Sequence, residues 1–292
     1  MSDIATTPAA ERPAGPARAG LPWNLWRRQV GAVMRLELRK GFSGTRAIWL
    51  YLLAFSPLLI LLMRVILPRA VGDPANIGEA TQGLAILFQT FMLRVVIFLA
   101  CVAIFGNLIR REMLDRSLHY YFLSPMRREV LVVGKYLTGL VVSVTVFGLM
   151  TLLAFVLAYL PHQGSVVQEF LTRGPGLRQL GAYLLVTVLA CIGYGAVFLT
   201  FGSFVKSPAL PALVVFGWEG LQVFLPPLLK KMSVIHYLQG LCPVPVPLGP
   251  FAIPADAPSP WVAVPGLLIF SLLLLALSAW KVRRMEVSYE ED

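Results

Sequence analysis

Charge is what this chain of 292 residues has least of: 14% of its residues are Asp, Glu, Lys or Arg, while 57% are hydrophobic and the mean hydropathy is +0.74. A soluble domain carries about 25% charged residues and needs them to cover its core, so this composition excludes an ordinary water-soluble fold. The three histidines, His119, His162 and His236, fall in separate segments with no HExxH and no paired carboxylates, which removes the usual ligand set of a zinc protease. Of the three cysteines, Cys101 and Cys191 sit inside apolar runs and only Cys242 falls in a loop; neither a disulfide framework nor a metal-binding spacing exists. Serines within the apolar runs have no candidate base nearby in sequence, so no nucleophile stands out. A phosphate-binding loop is missing as well. The one Gly-Lys pair, Gly134-Lys135, has Glu129 where GxxxxGK[ST] needs glycine and Tyr136 where it needs Ser or Thr. The chain is therefore expected to bind no cofactor of its own, and any ATP is expected on another polypeptide.

What the sequence does have is long uncharged runs. A hydrocarbon core roughly 30 Å thick takes about 20 apolar residues in helical form, and six runs of that order succeed one another, at 46–67, 83–109, 136–160, 180–205, 208–229 and 261–280. The expected fold class is an all-α integral membrane protein of about six transmembrane helices, with its transmembrane domain over 46–281. Pro57 in the first run is a tolerable kink, because neighbouring helices can satisfy the carbonyl it frees. Residues 1–24 form a polar, Ala- and Pro-rich leader that lacks the features of a cleavable signal and is expected to be disordered. Between the fifth and sixth runs, the segment 230–260 holds Pro243, Pro245, Pro247, Pro250 and Pro254. Proline at that density precludes an ordinary spanning helix, which leaves the segment extracytoplasmic or re-entrant.

The net charge of +10 comes from basic residues placed beside apolar runs rather than on a soluble face. That pattern points to membrane orientation and anionic lipid, not to nucleic acid. With the amino terminus inside, eighteen of the 25 Lys and Arg residues fall on the cytoplasmic side and six outside, with Arg94 inside a run. Both termini, including the tail 282–292, are thus expected in the cytoplasm.

Two cytoplasmic elements stand out. Residues 25–42 place Trp26, Val30, Val33 and Met34 on one helical face and Arg28, Arg35 and Arg39 on the other, the pattern of an amphipathic helix lying in the membrane interface. The longest inside loop, 111–135, sets Leu114, Leu118, Tyr121 and Phe122 on one face at helical spacing, with Glu112, Asp115, Arg116 and His119 opposite. Pro125 ends that helix before a basic turn at Arg127 and Arg128. A short amphipathic helix of this kind can insert into a pocket on a cytosolic partner.

The order of features in this loop resembles the type-2 class of ATP-binding-cassette (ABC) transporter permeases. In that family a glutamate, a short helix, a Ser-Pro turn, an arginine and a Gly-Lys pair follow one another; here they are Glu112, Leu118 to Leu123, Ser124-Pro125, Arg127 or Arg128, and Gly134-Lys135. The small residue and threonine often found before the helix are replaced by Asp115, Arg116 and Ser117, a looser match. The resemblance implies a permease subunit of an exporter in a cell membrane, the bacterial inner membrane in particular, with no ATPase site of its own. It also implies partners: an ABC ATPase subunit that binds ATP and Mg, and a second permease copy or a homologous permease. Glu112, Leu114, Asp115, Leu118, Tyr121, Phe122, Pro125 and Arg127 would then form the coupling helix and its exit turn.

Arg94 and Glu219 are the only formal charges deep within the runs. Charges in that setting pair with each other or face a polar cavity, so a salt bridge between the second and fifth spans and a substrate pathway are both open. Gln89 and Gln222 extend this zone or bond to backbone carbonyls. Gly139, Ser143 and Gly148 in the third span, and Gly193, Gly195 and Gly202 in the fourth, permit close helix contact. An ATP-independent secondary transporter or channel is the main alternative function. It is disfavoured by a single acid at mid-depth and by the absence of a convincing internal repeat.

Overall fold

The computed structural model describes residues 28–35, 45–66, 76–106, 108, 128–205, 207, 209–221, 226–230, 233–246 and 258–284. These form helices α1 (28–35), α2 (Thr45–Ile66), α3 (Ile77–Phe105), α4 (Arg128–Tyr159), α5 (Gly164–Thr172), α6 (Gly176–Phe204), α7 (Ala209–Leu221), α8 (Pro227–Lys230), α9 (Val234–Gln239) and α10 (Pro260–Arg284). Among the described residues there is no strand. Five helices, α2, α3, α4, α6 and α10, are long and apolar enough to cross a membrane, and the protein is by that measure an all-α, multi-pass membrane protein.

Local chemistry accounts for the helix ends and irregularities. Asn76 starts α3 by accepting the Gly78 N–H at 2.9 Å, with Glu79 in the first turn where the helix dipole favours an acid. In α2, Pro57 has no N–H to give to the carbonyl of Leu53; the Ser56 hydroxyl donates to that carbonyl instead, at 2.8 Å. The repair thus comes from within the helix, not from a neighbour. The middle of α3, Leu87–Ile97, is wound as a π-helix, a rare form frequently found at functional sites.

Two expected runs differ most in extent. The third begins at Arg128 rather than 136, because a helix need not stop where hydropathy falls, and α4 at 32 residues is about 48 Å long. The fifth, expected over 208–229, gives the 13-residue α7 ending at Leu221, a non-helical Pro226 and the single turn α8. The Pro226-Pro227 pair removes two N–H donors, and a proline disfavours helical geometry at the residue ahead of it.

Helix α6 is the axis of the bundle. Inside its apolar stretch 72% is buried within the protein, against 17% for α2 and 22% for α10, whose outer faces carry Trp49, Leu59, Trp261 and Leu272 exposed. Apolar surface on that scale is stable only against acyl chains or another protein. Small residues set the spacing around α6. Phe105 fills a slot between Gly139 of α4 and Gly195 of α6, where added Cβ atoms would come within 2.6 and 2.8 Å of its ring. Two turns on, a Cβ at Gly202 would lie 2.7 Å from the carbonyl oxygen of Gly106. Gly148 of α4, by contrast, faces open space.

Cross-helix contacts fix the directions. Phe88 meets Tyr183 at 4.7 Å and Phe98 meets Tyr194 at 5.4 Å between ring centroids, so α3 and α6 run parallel. Thr200 Oγ1 donates to the Leu274 carbonyl at 3.0 Å and Ser278 Oγ donates to Ser203 Oγ at 3.4 Å, so α6 and α10 are parallel as well. The chain between Val205 and Pro258 must therefore return across the thickness of the bundle. On that return, α9 packs on α6, its Val234 lying where a Cβ at Gly193 would come within 2.8 Å.

Candidate functional site

The buried polar centre of the molecule lies where α3, α6, α7 and α9 meet. Glu219, ten residues into α7, is 5% exposed. Its carboxylate accepts the Tyr194 hydroxyl of α6 at 2.5 Å, the Ser233 hydroxyl at 3.4 Å and the backbone N–H of Ile235 in the first turn of α9. Ser233, Ile235 and Tyr194 are themselves buried. Three donors from two different elements thus converge on one carboxylate in an apolar interior, where each bond is worth more and each missing bond costs more than in water.

Aromatic rings close the site. Phe98 packs edge-on against Tyr194 and against Phe198 at 5.0 Å, and lies 5.5 Å from Phe216 of α7. Arg94, four residues before Phe98 on the π-helical stretch, is half-buried, and its charge acts on both Glu219 and Tyr194. No N–O contact within 4.0 Å joins Arg94 to Glu219. The two charges the sequence singled out therefore come into one neighbourhood and interact through space, while the short bonds to the carboxylate come from Tyr194, Ser233 and Ile235. On the same π-helical stretch, the Gln89 side-chain amide donates to the Val244 carbonyl at 2.7 Å, pinning the segment after α9 to α3. Gln222 lies outside the described residues.

The chemistry available here is charge stabilisation and mechanical linkage. A carboxylate with three donors joins the short returning elements to the central helix, and a nearby cation offsets its charge. Among the described residues no three His, Cys, Asp or Glu side chains gather to hold a metal. Nothing in the spacing of the sequence distinguishes Tyr194 from other aromatic residues of α6; its role comes from the packing of α7 against that helix.

At the N-terminal end of α4 the other expected site is visible at its edges. Of the interface-helix residues, Arg28 and Arg35 are exposed on α1, while Trp26 and Arg39 lie outside the described residues. Val33 on the other face of α1 is buried, and it sits against Gly134 of α4, where an added Cβ would be 3.1 Å from its Cγ1. Lys135 is 1% exposed and donates through Nζ to the carbonyl of Leu108 at 2.9 Å. Glu112, Leu114, Asp115, Leu118, Tyr121, Phe122, Pro125 and Arg127 all lie outside the described residues. Arg283 of α10 reaches Glu129 of α4 at 3.7 Å, an exposed and screened contact. No protein-family model matches this chain, and no curated protein matches it.

Proposed function

We infer that the chain is the membrane-spanning permease subunit of an ATP-driven exporter of the type-2 ABC class, working with a separate ATPase subunit that binds ATP and Mg. The observation that carries this reading is the way both ends of the loop 109–127 are held. Its entry is gripped where Lys135 binds the Leu108 carbonyl and Phe105 fills the slot between Gly139 and Gly195. Its exit is the first turn of α4, a continuous helix that runs about 48 Å, longer than a bilayer core needs. A loop held this way passes a push from a cytosolic partner to α3, α4 and α6 as rigid-body motion instead of absorbing it. Helix α1, seated on Gly134 beside Lys135, braces the same end.

Six crossings follow from the same reading. With α6 and α10 parallel, the segment from Val205 to Pro258 makes the remaining crossing in pieces, α7 first and then the stretch through α9. Both termini are then cytoplasmic, and two copies, or this chain with a homologous permease, enclose the pathway.

The test is co-expression with its ATPase subunit and reconstitution into nanodiscs. Leu118→Asp and Tyr121→Asp should leave the complex assembled or weakened but abolish the effect of the permease on ATP hydrolysis. Transport driven by a proton or sodium gradient with no ATPase present would overturn the reading. One observation favours that second possibility, an ion-driven carrier: the helical path between α6 and α10 is interrupted at Pro226, as in the discontinuous helices of such transporters.

A further inference from the structure

A second polar cluster lies at the far end of the bundle from Lys135, and it differs from the first in leaving its atoms unmet. Tyr159, near the end of α4, shares a hydrogen bond of 3.0 Å with Thr81 of α3 and packs against Phe170 of α5 at 5.0 Å between centroids. The imidazole of His162 lies 6.3 Å from the Tyr159 ring. From α6, Tyr183 reaches the neighbourhood of Tyr159 and Cys242 and lies against Phe88, with Gln179 one turn earlier on the same face. Both ring nitrogens of His162, Oε1 of Gln179 and the hydroxyl of Tyr183 are buried with no hydrogen-bond partner, and Tyr183 as a whole is 2% exposed. Native proteins leave few such groups, and each calls for a reason.

The cover over the cluster is slight. Helix α5 has no fully buried residue of its own and is fastened by the partly buried Val167, Phe170 and Leu171. Gly174 and Gly176 make that fastening possible, since a Cβ at either would come within 2.7 and 2.8 Å of Phe170. A short amphipathic helix with no fully buried side chain, followed by a glycine-containing turn, is suited to lift.

We propose that this cluster is an occluded binding site for an uncharged ligand bearing both hydrogen-bond donors and acceptors, with α5 as its lid. A neutral imidazole and the tyrosine hydroxyl offer donors; the other imidazole nitrogen and the glutamine oxygen offer acceptors. No buried acid or cation among these residues would compensate a charged ligand. The rings of Tyr159 and Phe170 supply flat apolar surface of the kind that stacks on the face of a hydroxylated ring. The site stands apart from the ATPase-coupling loop, so its test is independent of the function proposed above.

The experiment uses the full chain in nanodiscs with labelled histidine, titrated with methyl β-glucoside as probe. The signal of His162, assigned with a His162→Gln variant, should shift and saturate. Tyr183→Phe and Gln179→Leu should each weaken binding about tenfold, the equivalent of one lost hydrogen bond in a buried site. Phe170→Ala should retain binding with faster exchange. No saturable shift in the unmodified protein, or equal affinity in both variants, overturns the site; tighter binding of choline or methyl phosphate than of the glucoside overturns the assignment to an uncharged ligand.

Discussion

Two polar clusters sit inside the same bundle and obey opposite rules. Around Glu219 every acceptor has a donor: the Tyr194 and Ser233 hydroxyls and the Ile235 N–H take up the carboxylate. Around Tyr183, Gln179 and His162, four polar atoms have none. Polarity in an apolar interior is therefore not one signal. A cluster completed by its own chain fixes helices to one another, whereas one left incomplete has capacity for something from outside. The first ties the pieces of the returning segment to α6; the second lies under α5, a short helix with no fully buried residue.

The contrast can be broken by mutation, and the largest effect is expected at its centre. Glu219→Ala leaves Tyr194, Ser233 and Ile235 without their acceptor and Arg94 without its counter-charge, at a cost of about 3–5 kcal/mol. Reversible unfolding in bicelles would register that loss, and Glu219→Gln, which keeps an acceptor oxygen, should lose less. Next comes the packing that holds α3 beside α6 and so keeps Arg94 near the carboxylate. Gly202→Ala should destabilise by about 1–3 kcal/mol, because its Cβ meets the Gly106 backbone. Gly148→Ala, facing open space, should be near neutral in the same assay. The smallest effect concerns the Thr151–Thr187 pair between the two clusters, whose hydroxyls lie 3.0 Å apart. Thr151→Val should cost roughly 0.6 kcal/mol, the usual worth of a side-chain bond between membrane helices.

The sequence exposes the membrane architecture because a charge-free run of twenty residues has few other uses, and five of the six expected runs coincide with long helices. It also singles out Arg94 and Glu219, since formal charge inside such a run is conspicuous. It does not reveal which atoms hold the carboxylate. Tyr194 looks like any aromatic residue of α6, and Ser233 and the Ile235 amide reach Glu219 because the chain turns back after Pro226. The π-helical stretch of α3 is hidden for a related reason: apolar composition is the same whether a helix winds at one pitch or another. The second cluster is not legible in the sequence because His162, Gln179 and Tyr183 are ordinary near helix ends, and only the burial of their polar atoms without partners sets them apart.

The most direct test of the division between a completed and an uncompleted cluster is one substitution made twice. Tyr194→Phe and Tyr183→Phe each remove a single buried hydroxyl from the same helix, measured by unfolding of the otherwise unmodified protein in bicelles without added ligand. Tyr194→Phe should destabilise by about 1.5–3 kcal/mol, the range for a hydrogen bond to a charged group. Tyr183→Phe should be neutral or stabilising, since it removes a hydroxyl that has no partner. Equal losses from the two variants would contradict the account.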